Sequence, residues 1–465
     1  MITTTRCGRT ALLVAAGLAA WTPPALPAAI PDGPIERGRK LVHILQDTLR
    51  LPGLSVTVMV DGQPVWSEVL GHASLETQTP TTERTKFRIG SVSKLITVAA
   101  LGRLVEKGRF DLDAPVQRYV PDFPDKGATI TARQLAGHLG GIRHYDDDFL
   151  NREHFSSVSE ALSRFKDDPL RHTPGEKYAY SSYGYVLLSA MLEGATGKPF
   201  IELVAEEVLI PLGMQSTVPD DVFAIVDERG GFYQRVDGEI LNGAFIDLSD
   251  RWAAGGYLST SRDLANLGAA HLDDRFLSAE TRRILFTPQT ATSGEETAVG
   301  LGWRIGEDSR GRRYYHHAGS NIGGRAILIV YPDDGVVVAI VANVGRAPFG
   351  RPEAITIAEL FMPADGGGPA WDPAGSYEFH RTGGKEPVQG ELRLTSTDDG
   401  LTGSIEPEGG PFMPVVWTVV RGDRLSVVAA DPRGQLEILW LQQDGRNLAG
   451  SSWRRAGDFR ATRVK

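Results

Sequence analysis

Cysteine is nearly absent from this sequence. The single one, Cys7, falls within the first 29 residues, which read as a removable leader, so the chain beyond them has no thiol. That excludes disulfide staples, thiolate catalysis and cysteine-ligated zinc in the remainder. Cys7 also precedes the apolar run of the leader, where a lipid-modified cysteine would follow it. Basic residues are short too: 49 Lys and Arg against 58 Asp and Glu give a net charge of −9. Phosphate binding needs clustered basic side chains, so nucleic acid is excluded as the main partner, and adhesion to an anionic membrane is disfavoured. Long apolar runs are missing. Ala11 to Ala20 is too short to span a bilayer comfortably and no later segment reaches spanning length, so no stable membrane insertion is expected after leader cleavage. Neither G-x-S-x-G nor H-E-x-x-H occurs, and Gly194 to Pro199 (GATGKP) lacks the spacing and hydroxyl of a phosphate loop. No cofactor and no metal is expected.

What remains is an ordinary globular composition, 41% apolar and 23% charged. At roughly 150 residues per domain, the length suggests two or three domains. Arg6 and Arg9, the apolar ALLVAAGLAA and the small pair Ala28-Ala29 predict a signal peptide over 1–29, hence a periplasmic or secreted protein. Residues 34–362 read as one mixed domain with a helical insertion over about 111–225. Residues 363–374 (PADGGGPAWDPA) read as a linker, and 375–465 as a domain of short strands.

Within the first domain, Leu41, Ile44, Leu45 and Leu49 have helical spacing, and SVTVMV and PVWSEVL flank an Asp61-Gly62 hairpin turn. From Ser91 the chain turns helical and apolar on nearly all sides, the pattern of a buried helix. Capping-box spacing occurs at Thr131 with Gln134 and at Ser157 with Glu160. The chain reads as irregular and glycine-rich over 230–260. RAILIVY and VVVAIVA then form a second hairpin about Pro332-Asp333-Asp334-Gly335. The last ninety residues offer six strands, SYEFH, GELRLT, LTGSI, VVWTVV, RLSVVA and LEILWLQ, which predict a small antiparallel sandwich or barrel.

FRIGSVSK places Ser91 and Lys94 one turn apart at the start of the buried helix. A serine hydroxyl is a weak nucleophile until a base takes its proton, and a lysine in an apolar site loses its charge readily. The helix start adds backbone N–H groups for a developing oxyanion. Ser163 and Lys166 repeat the spacing inside a polar amphipathic segment and read as a solvated face. Two further groups follow in order: Tyr180-Ser181-Ser182 before an apolar helix, and His317-Ala318-Gly319 on a strand edge.

Ser-x-x-Lys, then Tyr-x-Ser, then His-x-Gly resembles the serine β-lactamase and penicillin-binding-protein superfamily, in its class C, esterase and D-peptidase branch. The resemblance covers roughly residues 40–362. DLDAPVQRYVPDFPDK, GHLGGIRHY and GGYLSTSRDL look like the mitochondrial serine β-lactamase-like subgroup and its bacterial relatives. It implies an α/β (α+β) fold, an antiparallel sheet flanked by helices with a helical insertion, to which the C-terminal β domain is added. It also implies Ser91 as the acylated nucleophile, Lys94 as its base or the charge that activates it, Tyr180 as proton relay in the form of a phenolate or a hydrogen-bonded phenol, and His317 orienting Tyr180 or substrate. The N–H groups of Ser91 and Ser320 would form the oxyanion hole. Ser182, Ala318 and Gly319 would face substrate, with Gly319 letting it lie along the strand edge. Two positions depart from the family: Ser182 stands where it has Asn, and Ala318 where it has Thr. Both departures weaken a β-lactamase reading and leave acyl transfer intact. The expected function is hydrolysis of a small peptide, then of an ester, then weakly of a β-lactam. The alternative is a non-catalytic, self-assembling protein on the same fold. Arg143, in a loop before Asp146, Asp147 and Asp148, would either meet a substrate carboxylate or pair with those acids.

Overall fold

The computed structural model describes residues 32–363, 371–383, 386–397, 400–453 and 457–464. The expected leader and most of the glycine-rich stretch after Pro363 lie outside them. Helix α1 (Asp32–Thr48) buries Leu41, Val42 and Leu45 along one stripe. It leads to β1 (Gly53–Val60) and β2 (Gln63–Ser74), which pair antiparallel across Asp61 and Gly62. Those two residues have φ of 51° and 73°, the positive values that a two-residue hairpin turn matching strand twist requires.

A short strand β3 (Thr79–Pro80) borders β2, and the rest of the sheet comes from far along the chain. These strands are β4 (Arg304–Glu307), β5 (Arg313–Asn321), β6 (Gly324–Tyr331) and β7 (Val336–Ala342). The order is β3-β2-β1-β7-β6-β5-β4, with β1 antiparallel to β7 from Leu54 opposite Ala342 to Val60 opposite Val336. Central strands β6 and β7 are apolar at almost every position because both faces are covered. Leu328, Val330, Val337 and Ala339 join one core, and Ile327, Ile329, Val338 and Ile340 the other, as a side-chain period of two demands. Each such Val, Leu or Ile side chain contributes about 1.5–3 kcal/mol of apolar burial.

Between β3 and β4 the chain builds the layer that carries the site. Helix α2 (Ser93–Glu106) holds Leu95, Ile96, Val98, Leu101 and Leu104 fully buried, as its all-round apolar pattern predicts. Helix α3 (Tyr183–Thr196) packs beside it, and α4 (Ser261–Ala269) lies on the same face of the sheet against β7 and β1. On the opposite face α1 meets α5 (Arg351–Phe361). The capping box at Thr131 forms in both directions, Gln134 N–H to Thr131 Oγ1 and Thr131 N–H to Gln134 Oε1. At Ser157 only half of it forms, because the Glu160 carboxylate accepts from Ser156 instead. The stretch expected to be irregular contains a hairpin, Tyr233–Val236 with Glu239–Asn242, turning on Asp237-Gly238. Its strands, YQRV and EILN, carry too little apolar alternation to be read as strands.

The C-terminal strands are β8 (Gly375–Arg381), β9 (Val388–Thr397), β10 (Gly400–Pro407), β11 (Met413–Arg421), β12 (Arg424–Ala430), β13 (Leu436–Asp444), β14 (Asn447–Ser452) and β15 (Gly457–Arg463). Eight strands replace the six expected, and β15 pairs back on β8 to close a barrel rather than a sandwich. The two unread strands, NLAGSS and GDFRATR, are mostly small or charged, with Leu448, Phe459 and Ala461 as their inward residues. Outward Trp417, Val419, Val428 and Ile438 join the core around α1 and α5. Trp417 Nε1 donates to the Arg37 carbonyl at 3.2 Å and Arg421 Nη2 to the Met362 carbonyl at 2.6 Å, so the barrel is docked by directed bonds as well as apolar area.

Candidate active site

Ser91 sits in a 3-10 turn, Gly90–Val92, that runs directly into α2. Lys94, in the first turn of α2, is completely buried. Its Nζ lies 3.2 Å from Ser91 Oγ, 3.0 Å from Ser182 Oγ and 2.6 Å from the Ala254 carbonyl oxygen. No carboxylate pairs with it among the described residues. Burial, with Arg304 and Arg251 nearby, holds its pKa well below the usual lysine range. A neutral amine has two N–H groups and one lone pair. In that form, with Ala254 and Ser182 taking the two N–H groups, the lone pair would face the Ser91 hydroxyl, whereas the charged form donates to it.

Tyr180 closes the same corner. Lys94 Nζ is 5.0 Å from its ring centroid and the His317 ring 6.3 Å away. Burial pushes the phenol pKa up, and hydrogen bonding with Ser91 and Ser182 works against that rise. A buried phenol with a raised pKa stays protonated near neutrality, so it can hand on a proton. On β5, His317 Nδ1 is 2.7 Å from the Ala318 carbonyl, while its buried Nε2 has no partner. Burial and the neighbouring Lys94 and Arg304 push its pKa well down, so the ring is neutral.

Two glycines bring β5 against the nucleophile's turn. A Cβ at Gly319 would stand 1.8 Å from the Ile89 carbonyl oxygen and 3.0 Å from Ser91 N. One at Gly90, whose φ is 51°, would stand 2.6 Å from Ser320 N. The open face of Gly319 therefore serves the approach of Ile89 and Ser91 rather than of substrate, and it brings the N–H groups of Ser91 and Ser320 to one corner. Ala318 and Ser320 line the same cleft, of about 580 Å³, with Ser91, Tyr180 and His317. Ser182 lies behind it, bonded to Lys94.

The other serine-lysine pair forms nothing comparable, since exposed Ser163 donates to the Glu160 carbonyl. Arg143 takes the second of its expected roles, in part. It pairs with Asp148 at 2.8 Å and with Asp168 at 2.5 Å, while Asp146 pairs with Arg171.

Sequence reasoning missed the groups that hold the Tyr180 loop. Ser181 N–H donates to His138 Nδ1 and Ser182 N–H to His144 Nδ1, each at 3.2 Å. Their rings flank Tyr180 at centroid distances of 4.4 and 5.3 Å. Burial and Lys94 hold both imidazoles neutral, His144 at about 4, which keeps Nδ1 an acceptor. The signal was present in GHLGGIRHY, but nothing in its spacing says which backbone it grips. His144→Leu is expected to lower kcat/KM by about tenfold through loss of one loop-positioning bond, whereas His144→Asn, whose Oδ1 can take the same N–H, retains most of it. Steady-state kinetics beside thermal melts would separate this positioning from a general loss of stability.

Comparisons with known proteins bear on the family and the fold. A family model described as Beta-lactamase matches residues 39–360. The human mitochondrial serine beta-lactamase-like protein LACTB is 29% identical over 418 aligned residues, 66% of this chain and 76% of that protein. A putative D-alanyl-D-alanine carboxypeptidase of Escherichia coli (strain K12) is 24% identical, over 65% of this chain and 80% of that one. Among solved structures, the octameric penicillin-binding protein homologue from Pyrococcus abyssi matches with a TM-score of 0.60 at 19% identity, covering 92% of this chain and 99% of that one. The D-amino acid amidase from Ochrobactrum anthropi SV3 matches with a TM-score of 0.59 at 24% identity, covering 70% and 96%. At those identities the structures speak to fold.

Proposed function

This chain belongs to the beta-lactamase family, and from that premise we propose that it is a serine hydrolase working through an acyl-enzyme at Ser91. The observation that carries the reading is the buried, unpaired amine of Lys94, 3.2 Å from Ser91 Oγ with its remaining hydrogens engaged elsewhere. In the proposed reaction Ser91 Oγ attacks the substrate carbonyl carbon while its proton passes to Lys94 Nζ. The tetrahedral oxyanion is held by the N–H groups of Ser91 and Ser320. Tyr180 delivers a proton to the departing amine or alkoxide, and its phenol is restored from Lys94. Water then takes the leaving group's place, and the same groups run in reverse to release the acid. His317, neutral and with Nε2 free, orients substrate or Tyr180.

A peptide amide is the leading substrate, with esters second and β-lactams third. Ser182 offers no side-chain amide, and Ala318 no hydroxyl, to the acylamino and carboxylate groups of a β-lactam. Neither loss touches the nucleophile, base or oxyanion hole. Activated esters and peptide anilides offered to the wild-type protein and to Ser91→Ala test the reading. Hydrolysis by the wild type that falls at least about 10³-fold in the variant is expected. Equal rates in the two would overturn it.

A further inference from the structure

We propose that the buried ion pair of Asp250 and Arg251 is a positioning pair for Lys94: it anchors the turn that seats the amine and sets a fixed cation behind it. The inference rests on the acyl-enzyme reading of Ser91.

Arg251 and Asp250 are 1% and 0% exposed. The guanidinium meets the carboxylate twice, Nε to Oδ1 at 2.6 Å and Nη2 to Oδ2 at 2.7 Å. A buried pair is weak evidence of stabilisation, so its place in the fold is the more informative fact. Arg251 leads directly into the short helix Trp252–Gly255. There the Ala253 carbonyl accepts from Thr97 at 2.8 Å and the Ala254 carbonyl from Lys94 at 2.6 Å. On its other side the guanidinium carbon lies 4.1 Å from the Tyr145 ring centroid. That ring packs against His144 at 4.6 Å, and His144 Nδ1 accepts the Ser182 N–H. Ser182 Oγ is in turn a partner of Lys94. Both partners of Lys94 other than Ser91 therefore trace back to Arg251.

The pair also has a direction. Burial opposes the charge of Arg251, yet Tyr145 and Asp250 raise its pKa above the usual arginine value, so it stays a cation. It is this guanidinium that acts on Lys94 and on His144. Asp250 Oδ2, by contrast, has Arg164 Nε at 3.9 Å. The other groups facing the amine are Arg304, which works in the same direction as Arg251, and the rings of Tyr180 and Tyr185 at 5.0 and 5.3 Å. His138, His144 and His317 complete them, each held neutral by burial and by Lys94. A fixed cation makes protonation of a neighbouring amine costly, so the pair keeps the base free of its proton as well as in place.

The test follows p-nitrophenyl butyrate hydrolysis by the full-length protein across the pH range in which it stays folded. In the double variant Asp250→Asn, Arg251→Gln, which removes both charges and strands neither, the acid limb of kcat/KM is expected to move up by about one pH unit. Asp250→Leu with Arg251→Met, an apolar replacement of the pair, serves as a second charge-free variant and is expected to shift alike. Arg251→Lys and Asp250→Asn each break the two-bonded fork but keep the cation. Their plateau rate is expected to fall about three- to tenfold, with the limb within about half a unit of the wild type. A merely structural role would lower the plateau in every variant and leave the limb in place. A limb unmoved in the charge-free variants, or moved equally in Arg251→Lys, with turnover still lost in Ser91→Ala, overturns the role of the pair alone. A limb that vanishes in Asp250→Asn belongs to Asp250, whose pKa burial raises, and overturns it too. Turnover that survives in Ser91→Ala, or no turnover by the wild type, overturns the reading of Ser91 and this inference with it.

Discussion

Lys94→Met is expected to lower the rate of Ser91 acylation by about 10³-fold or more while the thermal midpoint moves by only a few degrees. Methionine fills nearly the same volume in a fully buried position but has neither lone pair nor N–H. The chemical loss is that of the base, because the other titratable group bonded to Ser91, the Tyr180 phenol, has a raised pKa and keeps its proton. The structural account has two opposing parts. The Ala254 carbonyl and Ser182 hydroxyl lose a donor, at about 1–3 kcal/mol for an unsatisfied buried group. Against this, a thioether is far easier to desolvate than an amine. A melt that collapses with activity would make Lys94 a structural residue instead. The wild-type pH profile follows from the same amine. The neutral form is the active one and its pKa is held well below 10.5, so kcat/KM is retained below that pH and falls only as pH drops through the lowered value. The stability term has the same sign. In the unfolded chain Lys94 binds its proton from about 10.5 downwards whereas the folded chain does not, so its contribution is greatest above that pH and shrinks as pH falls towards the folded value.

Tyr180→Phe is expected to cost about 10²- to 10³-fold in kcat, with little change in the melting temperature. The ring keeps its packing against His138 and His144, so only the phenolic proton is lost. The loss should fall mainly on substrates with poor leaving groups. An anilide or peptide needs its nitrogen protonated to depart, whereas p-nitrophenolate leaves unaided. Comparing the variant on a p-nitrophenyl ester and a p-nitroanilide of the same acyl group measures this. Equal losses on both would contradict a proton-delivery role.

The features legible in the sequence were those encoded over short spans. Asp61-Gly62 and Pro332 to Gly335 carry their turn geometry in their own residues, and the all-round apolar pattern after Ser91 announces a buried helix whatever surrounds it. Ser91 and Lys94 are one helical turn apart, so their meeting needed no tertiary knowledge. Tyr180 and His317 entered only through family resemblance, since a chain separation of 137 residues says nothing about a ring separation of 6.3 Å. The groups that were missed act through tertiary placement. The Ala254 carbonyl belongs to the backbone and has no side-chain signature. His138 and His144 grip backbone N–H groups some forty residues away. Trp453 reaches the cleft from the end of β14, and that strand, NLAGSS, carries too few apolar residues to read in isolation. The meaning of Gly319 also shifted, because which backbone fills the space left by an absent Cβ is a matter of sheet packing.

Ser91 itself offers the most direct measurement. The wild-type protein and Ser91→Ala are treated with a fluorophosphonate probe and weighed intact. A single adduct on the wild type and none on the variant is the result this account predicts. An adduct of equal yield on both would place the reactive hydroxyl elsewhere. No adduct on either, with the cleft open to a small ester as judged by turnover, would contradict an activated serine at this position.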